Sequence, residues 1–213
     1  MIGVGDLSGR RSRNLVVEDD DVVEMGRRFM TDWRRIADRR SVPPPKFRIA
    51  VDWNGTLAER NSGVLGLKRS ACEALRILDA IGGELFIISF VGKKNAHLRS
   101  EVIDGVCDVC QITGLQYEKE PRREHSGSGT LAMFFSDSRT GRAGKGAICE
   151  RHKITAIVDD RDEILRDCAQ YGVAPYRCSQ TDPDDCRRSI LLAAMDIFEG
   201  LITPLLGQPA PSF

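Results

Sequence analysis

The residue with the clearest chemical potential is Asp52, which comes directly after the apolar run 47–51. Asn54, Gly55 and Thr56 follow it, so the sequence predicts a short buried strand that ends at an aspartate and then turns. In open α/β sheets, ligands bind at the carboxyl ends of the strands. A carboxylate there can act as a nucleophile, and its attack on phosphorus would give an acyl phosphate.

Three further polar positions follow later apolar runs. Ser89 comes after 84–88, Lys145 follows a glycine-rich turn after 131–135, and Asp159-Asp160 come after 154–158. A carboxylate that attacks a phosphate dianion needs a cation and hydrogen-bond donors nearby. Asp52 and Asp160 together predict a shared Mg²⁺, which prefers oxygen ligands. Lys145 would supply a fixed positive charge, and the Ser89 hydroxyl would supply a donor.

The elements that must position these residues alternate along the chain. The patterns predict strands at 47–51, 84–88, 131–135, 154–158 and 173–178, and helices at 68–80, 94–109, 145–151, 161–171 and 184–201. Residues 57–67 are expected to form a turn region, and residues 115–130 a surface loop. Strands alternating with helices predict a parallel sheet covered on both faces, which is a three-layer α/β sandwich with a Rossmann-like sheet.

The first 45 residues have a different character. Residues 1–19 are rich in glycine, serine and arginine, and 20–40 have the apolar spacing of a helix. Three consecutive prolines at 43–45 predict a stiff linker. We therefore expect a helical arm and linker over 1–45 and the α/β domain over 46–213.

Composition limits the partners. Apolar residues are 41% and charged residues 29%, as in folded proteins, and 31 basic residues balance 31 acidic ones. A nucleic-acid partner is therefore compatible with a local patch but is not supported by the net charge. No apolar segment approaches the length of a membrane span, so no membrane partner is expected. Seven scattered cysteines are typical of reduced thiols and predict a cytoplasmic protein.

The four motifs, in this order, resemble those of the haloacid dehalogenase-like hydrolases, whose first motif is Asp-x-Asp-Gly-Thr. The resemblance covers about residues 46–180, and the nearest pattern is that of members without a large cap, such as the 3′-phosphatase domain of polynucleotide kinases. It implies an Mg²⁺-dependent phosphatase with an aspartyl-phosphate intermediate and a phosphorylated substrate, a class that includes bulky and macromolecular ones. It implies these roles: Asp52, Asn54 and Lys145 catalytic; Ser89, Thr56 and Lys145 on the phosphate; Asp52, Asp159, Asp160 and the backbone carbonyl of Asn54 on the metal.

Asn54 departs from the family pattern, which has an aspartate there. That aspartate protonates the leaving group and later activates water, and an amide does neither. Loss of a general acid/base typically costs about 10²–10⁴-fold in rate. The residues therefore leave two functions open: a slow or specialised phosphohydrolase, and a binding or regulatory module that kept the pocket and lost turnover.

Three competing interpretations carry less weight. Lys153 competes with Lys145, but it lies where a surface lysine is normal. The pairs Cys107/Cys110 and Cys149/His152 have zinc-like ligand types, although cysteines on helices commonly pack as small apolar residues. The glycine-rich segment 141–146 fails the P-loop pattern, because Gly146 stands where serine or threonine should follow the lysine.

Overall fold

The computed structural model describes residues 47–61, 64–120 and 129–206, together with Glu24, Arg27 and Thr31. Those three residues are helical, and the rest of the expected arm and proline linker lies outside the described residues. The strands are β1 Arg48–Val51, β2 Ala58–Asn61, β3 Val64–Leu67, β4 Glu84–Phe90, β5 Gln116–Lys119, β6 Thr130–Ser136, β7 Ala156–Asp159 and β8 Ala174–Arg177. The helices are α1 Arg69–Ala80, α2 Ala96–Thr113, α3 Lys145–Arg151, α4 Asp162–Gln170 and α5 Pro183–Leu206.

Six strands form one fully parallel sheet in the order β5-β6-β4-β1-β7-β8. β1 lies inside it, with Val51 beside Ile87 of β4 on one side and beside Val158 of β7 on the other. The strands that carry the predicted motifs are therefore neighbours, and their carboxyl ends meet at one edge.

The four central strands, β6, β4, β1 and β7, are buried on both faces, which explains why they are largely apolar rather than alternating. Ile49 and Val51 of β1 belong to one core, and Ala50 between them belongs to the other. The first core is completed by α1, α2 and α5, and the second by α3 and α4. The structure is thus the three-layer α/β sandwich with a Rossmann-like sheet that the sequence predicts.

Two expected irregular segments contain strands. The turn region 57–67 holds an antiparallel hairpin, β2–β3, in which Ala58 pairs with Leu67. Part of the expected loop 115–130 is β5, which pairs in parallel with β6 through Gln116 and Thr130. Both predictions were wrong because these strands are only four residues long, β2 and β5 are largely polar, and a glycine interrupts the apolar run of β3. Residues 121–128 lie outside the described part of the chain.

No large cap domain interrupts the described sheet. Between β1 and β4 the described chain forms the hairpin and α1, and between β6 and α3 it forms a short 3₁₀ turn, Gly141–Ala143. No helix in the described ranges is long and apolar enough to cross a membrane. The edge of the sheet where the motifs lie is consequently built from short connecting segments.

Candidate active site

Three carboxylates converge at the carboxyl ends of β1 and β7. Asp52 follows β1, its backbone N–H donates to Val158 O at 2.9 Å, and Asp159 ends β7 beside it. Asp160 is the next residue. One carboxylate oxygen from each aspartate lies within 4.8 Å of the others, and all three residues are buried. They form the only metal-competent cluster of histidine, cysteine or acidic side chains among the described residues.

Lys145 lies between two of these carboxylates. Its side chain is fully buried at the first residue of α3, and its ammonium donates to Asp159 Oδ2 at 2.7 Å and to Asp52 Oδ1. A glycine on each side of Lys145 allows the neighbouring groups to pack closely against the backbone there, because glycine has no Cβ. A Cβ at Gly144 would lie 2.6 Å from the Thr140 carbonyl carbon, and a Cβ at Gly146 would lie 2.4 Å from the Tyr171 ring.

The cluster concentrates buried carboxylates around a single lysine. Burial raises the pKa of Asp52 to about 7, and the charges of Asp159 and Asp160 add to this rise while Lys145 opposes it. Burial also raises the pKa of Asp159, again against Lys145. Burial alone would lower the pKa of Lys145, but the two carboxylates outweigh it and raise that pKa. Three ionised carboxylates and one ammonium leave a net charge of −2.

Asp160 provides the test of whether a metal ion fits. Its Oδ1 is buried and has no hydrogen-bond partner within the described structure, whereas Oδ2 accepts a hydrogen bond from Gln180 Nε2. A buried, unpartnered carboxylate oxygen is costly unless a ligand satisfies it. Ligands on opposite sides of an Mg²⁺ lie about 4.2 Å apart, since each bond is about 2.1 Å. The three oxygens lie within 4.8 Å of one another, so small side-chain shifts would bring all three within bonding distance of one small, hard cation.

Ser89 is fully buried, and its hydroxyl has no hydrogen-bond partner within the described structure. The second motif strand is longer than predicted, because β4 continues to Phe90, so Ser89 lies inside it rather than after it. Ser89 is paired with Phe135 of β6. Its backbone is therefore fixed by the sheet, and its hydroxyl is a buried group without a partner in the described structure.

The side chains of Thr56 and Asn54, the other two polar residues of the first motif, have different surroundings. Thr56 is fully buried, and its hydroxyl lies 3.3 Å from Cys178 Sγ. The resemblance implies that this hydroxyl binds the phosphate, whereas in the structure its neighbour is the Cys178 thiol. Asn54 is exposed and lines a pocket between the hairpin, the end of β4 and α2. Gly55, with φ of +87°, makes the turn between them, and a Cβ there would lie 2.8 Å from Asp160 Oδ2.

Sequence reasoning missed Lys68, which is 4% exposed. Its ammonium donates to the carbonyls of Gly55 and Gln180, each at 2.7 Å, and to Cys186 Sγ at 3.3 Å. It thereby ties the turn after Asp52 to the loop that supplies Gln180. No local pattern distinguishes Lys68 from a surface lysine. Gln180 lies three residues after the end of β8, so a search for polar residues beyond strand ends, which identified the aspartates, would also have identified Gln180.

The competing sites do not assemble. Lys153 is exposed, with φ of +54°, and Lys145 is the lysine beside the carboxylates. The cysteine and histidine pairs proposed as zinc ligands do not come together as a metal-competent cluster in the described ranges. All seven cysteines are free thiols.

Comparison with known proteins adds little. No family model matches the chain, and no curated protein does. A solved structure of a hypothetical protein from Xanthomonas campestris aligns with 90% of this chain and 96% of its own, at 12% identity and a TM-score of 0.40. A likeness at that level carries no conclusion about function.

Proposed function

We propose that this chain is an Mg²⁺-dependent phosphohydrolase of the haloacid dehalogenase-like type without a large cap, with Asp52 as the nucleophile. The observation that carries the proposal is the contact of the Lys145 ammonium with both Asp52 and Asp159, beside the unpartnered Oδ1 of Asp160. A buried nucleophile, a fixed cation and a vacant carboxylate oxygen are the parts that attack on a phosphate dianion requires.

The side chains would divide the reaction as follows. Asp52 would attack phosphorus with Oδ2, since Lys145 holds Oδ1, and the bond to the leaving oxygen would break. The Ser89 hydroxyl would donate to a phosphoryl oxygen. Asp159 and Asp160, with Asp52 and the Asn54 carbonyl, would hold Mg²⁺, which supplies positive charge to the phosphoryl group. Water would then hydrolyse the acyl phosphate and restore the carboxylate.

Asn54 limits this chemistry, because its amide can donate a hydrogen bond but cannot transfer a proton. Slow turnover is therefore expected for esters whose leaving oxygen needs a proton. The same residue favours a second candidate function, in which the chain binds a phosphorylated ligand with Mg²⁺ and does not turn it over.

Asn54→Asp separates the two functions. In the phosphohydrolase, the restored carboxylate should raise phosphate release from an alkyl ester such as glycerol 1-phosphate by about 10²-fold, the usual contribution of a positioned acid/base. Release should require Mg²⁺ and stop in EDTA. Gln111→Glu, an exposed amide-to-acid change on α2, is the matched control and should give no rise.

Asp52→Asn in the Asn54→Asp background should abolish the gain, because the acid assists nothing without a nucleophile. Activity that survives Asp52→Asn would refute Asp52 as the nucleophile. Mg²⁺-dependent phosphate binding by the wild-type protein, with no release by either variant across alkyl, aryl and acyl phosphates, would favour the binding module.

A further inference from the structure

A pocket of about 350 Å³ is lined by the residues that directly follow Asp52 and Ser89 in the chain. One wall is Trp53 and Asn54, the two residues after Asp52, and another is Phe90 and Val91, the two residues after Ser89. Because β1 and β4 are paired neighbours, these walls continue directly from the two strand ends that carry the nucleophile and the phosphate donor. A group attached to a phosphate at Asp52 therefore has this pocket beside it.

The pocket has an apolar floor that is already formed. The Trp53 indole is fully buried and packs so closely on α2 that a Cβ at Gly105 would lie 2.5 Å from its ring. Val91 and Val102 are each 5% exposed and line the same space. Phe90 and Leu98, which are half-buried, also line this pocket and present the apolar surface that an occupant would contact. An aromatic ring beside an aliphatic side chain favours a flat, apolar occupant.

The loop that forms the opposite wall is also fixed. The Arg99 guanidinium donates to Val91 O at 2.8 and 3.1 Å and to Asp137 Oδ1 at 2.7 Å. Asn95 N–H donates to Gly92 O at 2.9 Å within the same loop. The wall therefore needs little ordering when a ligand enters, which lowers the cost of binding.

The charges around the pocket are paired. Arg60 on the hairpin forms an ion pair with Glu101 on α2, and both line the pocket. Lys93, on the neighbouring loop, lies 3.0 Å from Asp137. An occupant with its own charge would have to compete with these pairs, whereas a neutral one would leave them intact.

The size of the pocket sets the size of the occupant. A cavity of roughly 150 Å³ accommodates benzene, so 350 Å³ suits one or two fused rings. The pocket volume therefore limits the group that enters it and does not limit the size of the molecule to which that group is attached.

Asn54 adds a chemical restriction to the shape. A phenol ionises near pH ~10, whereas water, which alkyl alcohols resemble, ionises near ~15.7. A phenolate can therefore leave without being protonated by the enzyme, and an alkoxide cannot do so readily. The Asn54 amide at the pocket wall can donate a hydrogen bond to the departing oxygen, which is all that a phenolate requires.

We infer that this pocket binds the leaving group of an aryl monophosphate, a neutral phenol of one or two rings, and that such esters are the substrates of the proposed phosphohydrolase. The inference rests on that function. In the transfer step the bond from Asp52 Oδ2 to phosphorus forms, the bond from phosphorus to the aryl oxygen breaks, and the electron pair stays on the phenolate. Solvent protonates the phenolate, and water hydrolyses the acyl phosphate to inorganic phosphate.

The first test compares substrates. 2-Naphthyl phosphate should be hydrolysed with kcat/KM at least 10-fold above acetyl phosphate, which has a good leaving group but no ring. Across ring-substituted phenyl phosphates, log kcat/KM should rise steeply as the phenol becomes more acidic, and this slope should flatten in Asn54→Asp. A flat slope in the wild-type protein would overturn the inference, because leaving-group departure would not then depend on the phenol.

The second test fills the pocket. Leu98→Trp, or the milder Leu98→Phe, places a larger ring on the pocket side of α2. The ratio of kcat/KM for 2-naphthyl phosphate to that for acetyl phosphate should fall at least 10-fold. Ile112→Trp is the matched control, since Ile112 is an exposed apolar residue of the same helix outside this pocket, and the ratio should stay within twofold.

The outcomes distinguish the two proposals. Hydrolysis of acetyl phosphate with no preference for 2-naphthyl phosphate, or with no effect of the Leu98 variants, overturns the pocket assignment and leaves the phosphohydrolase standing. If no ester is hydrolysed by wild-type or Asn54→Asp protein, the proposed function fails. Equilibrium binding of 2-naphthol then decides the pocket: binding that Leu98→Phe weakens supports it, and absence of binding overturns it.

Discussion

Asp52 should make the metal-free protein less stable as the pH rises, which is the reverse of the usual behaviour of a carboxylate in a salt bridge. The pKa of Asp52 is raised in the folded protein to about 7, from an ordinary value of 3.8. Between these pH values the folded state holds a proton that the unfolded state has lost. The contribution of Asp52 to the free energy of unfolding therefore falls as the pH rises through that window.

The magnitude follows from the same two values. Each pH unit within the window is equivalent to about 1.4 kcal/mol, so the full gap corresponds to about 4 kcal/mol. This is a ceiling, because Asp159, whose pKa burial also raises, shares the same Lys145. Asp52→Asn cannot titrate. The stability of the wild-type protein relative to this variant should therefore drop by about 2–4 kcal/mol between pH 4 and pH 7.

Urea unfolding in EDTA, followed by tryptophan fluorescence at half-unit steps of pH, measures this difference. Both proteins share every other titrating group, so their difference isolates Asp52 and the groups coupled to it. Curves that run parallel from pH 4 to pH 7 would refute the account of the cluster as an excess of buried negative charge. A wild-type protein that gains stability over the variant as the pH rises would refute it more strongly, since Asp52 would then be stabilised as a simple ion pair.

The remaining predictions concern single contacts. Ser89→Ala should leave the free energy of unfolding unchanged or slightly higher, because it removes a buried hydroxyl that has no partner, while Mg²⁺-dependent phosphate binding by calorimetry should weaken about 10-fold or more. Lys68→Met should lower the free energy of unfolding by about 1–3 kcal/mol, because it removes a charged donor from two partly buried carbonyls; the exposed Lys153→Met should change it little, and equal losses would contradict this role. Gly105→Ala should cost about 1–3 kcal/mol in urea unfolding by overpacking the indole, whereas Gly200→Ala, with nothing within 4 Å, should cost nothing. Mg²⁺ should raise the Tm in thermal scans more at pH 8 than at pH 6, because protons compete for the carboxylates at the lower pH; an equal rise would contradict this competition.

The central strands of the sheet were predictable because strands that are buried on both faces have continuous apolar sequences. The ends of β1 and β7 could be placed from the aspartates that terminate their apolar runs, whereas β4 continues past Ser89 to Phe90. Helix α3 was predicted over its observed range, Lys145–Arg151, because glycines precede its first residue. The hairpin and β5 were not predictable in this way, since short strands with mixed or exposed faces carry no apolar pattern.

Lys68 shows where sequence reasoning stops. The partners of its ammonium are mainly backbone carbonyls, and every residue type has a carbonyl, so no pairing of residue types indicates the contact. The same limit applies to Thr56, which was assigned to the phosphate from its place in a motif. Its hydroxyl instead contacts Cys178, more than a hundred residues away in the sequence, and only the tertiary structure reveals that partner.

The all-parallel order of the main sheet has a consequence for how the site forms during folding. The local strand pairing is confined, in the described chain, to the β2–β3 hairpin, whereas β1 must find β4 and β7, whose partners Glu84 and Ala156 lie far along the sequence. Such non-local pairing is slow, because the chain loses entropy on closing long loops before it gains the stabilising contacts. Asp52 and Asp159 meet only when β1 and β7 have paired, so the carboxylate cluster forms no earlier than that pairing. The time at which Mg²⁺ affinity appears after dilution from denaturant would thus report when the central sheet is complete.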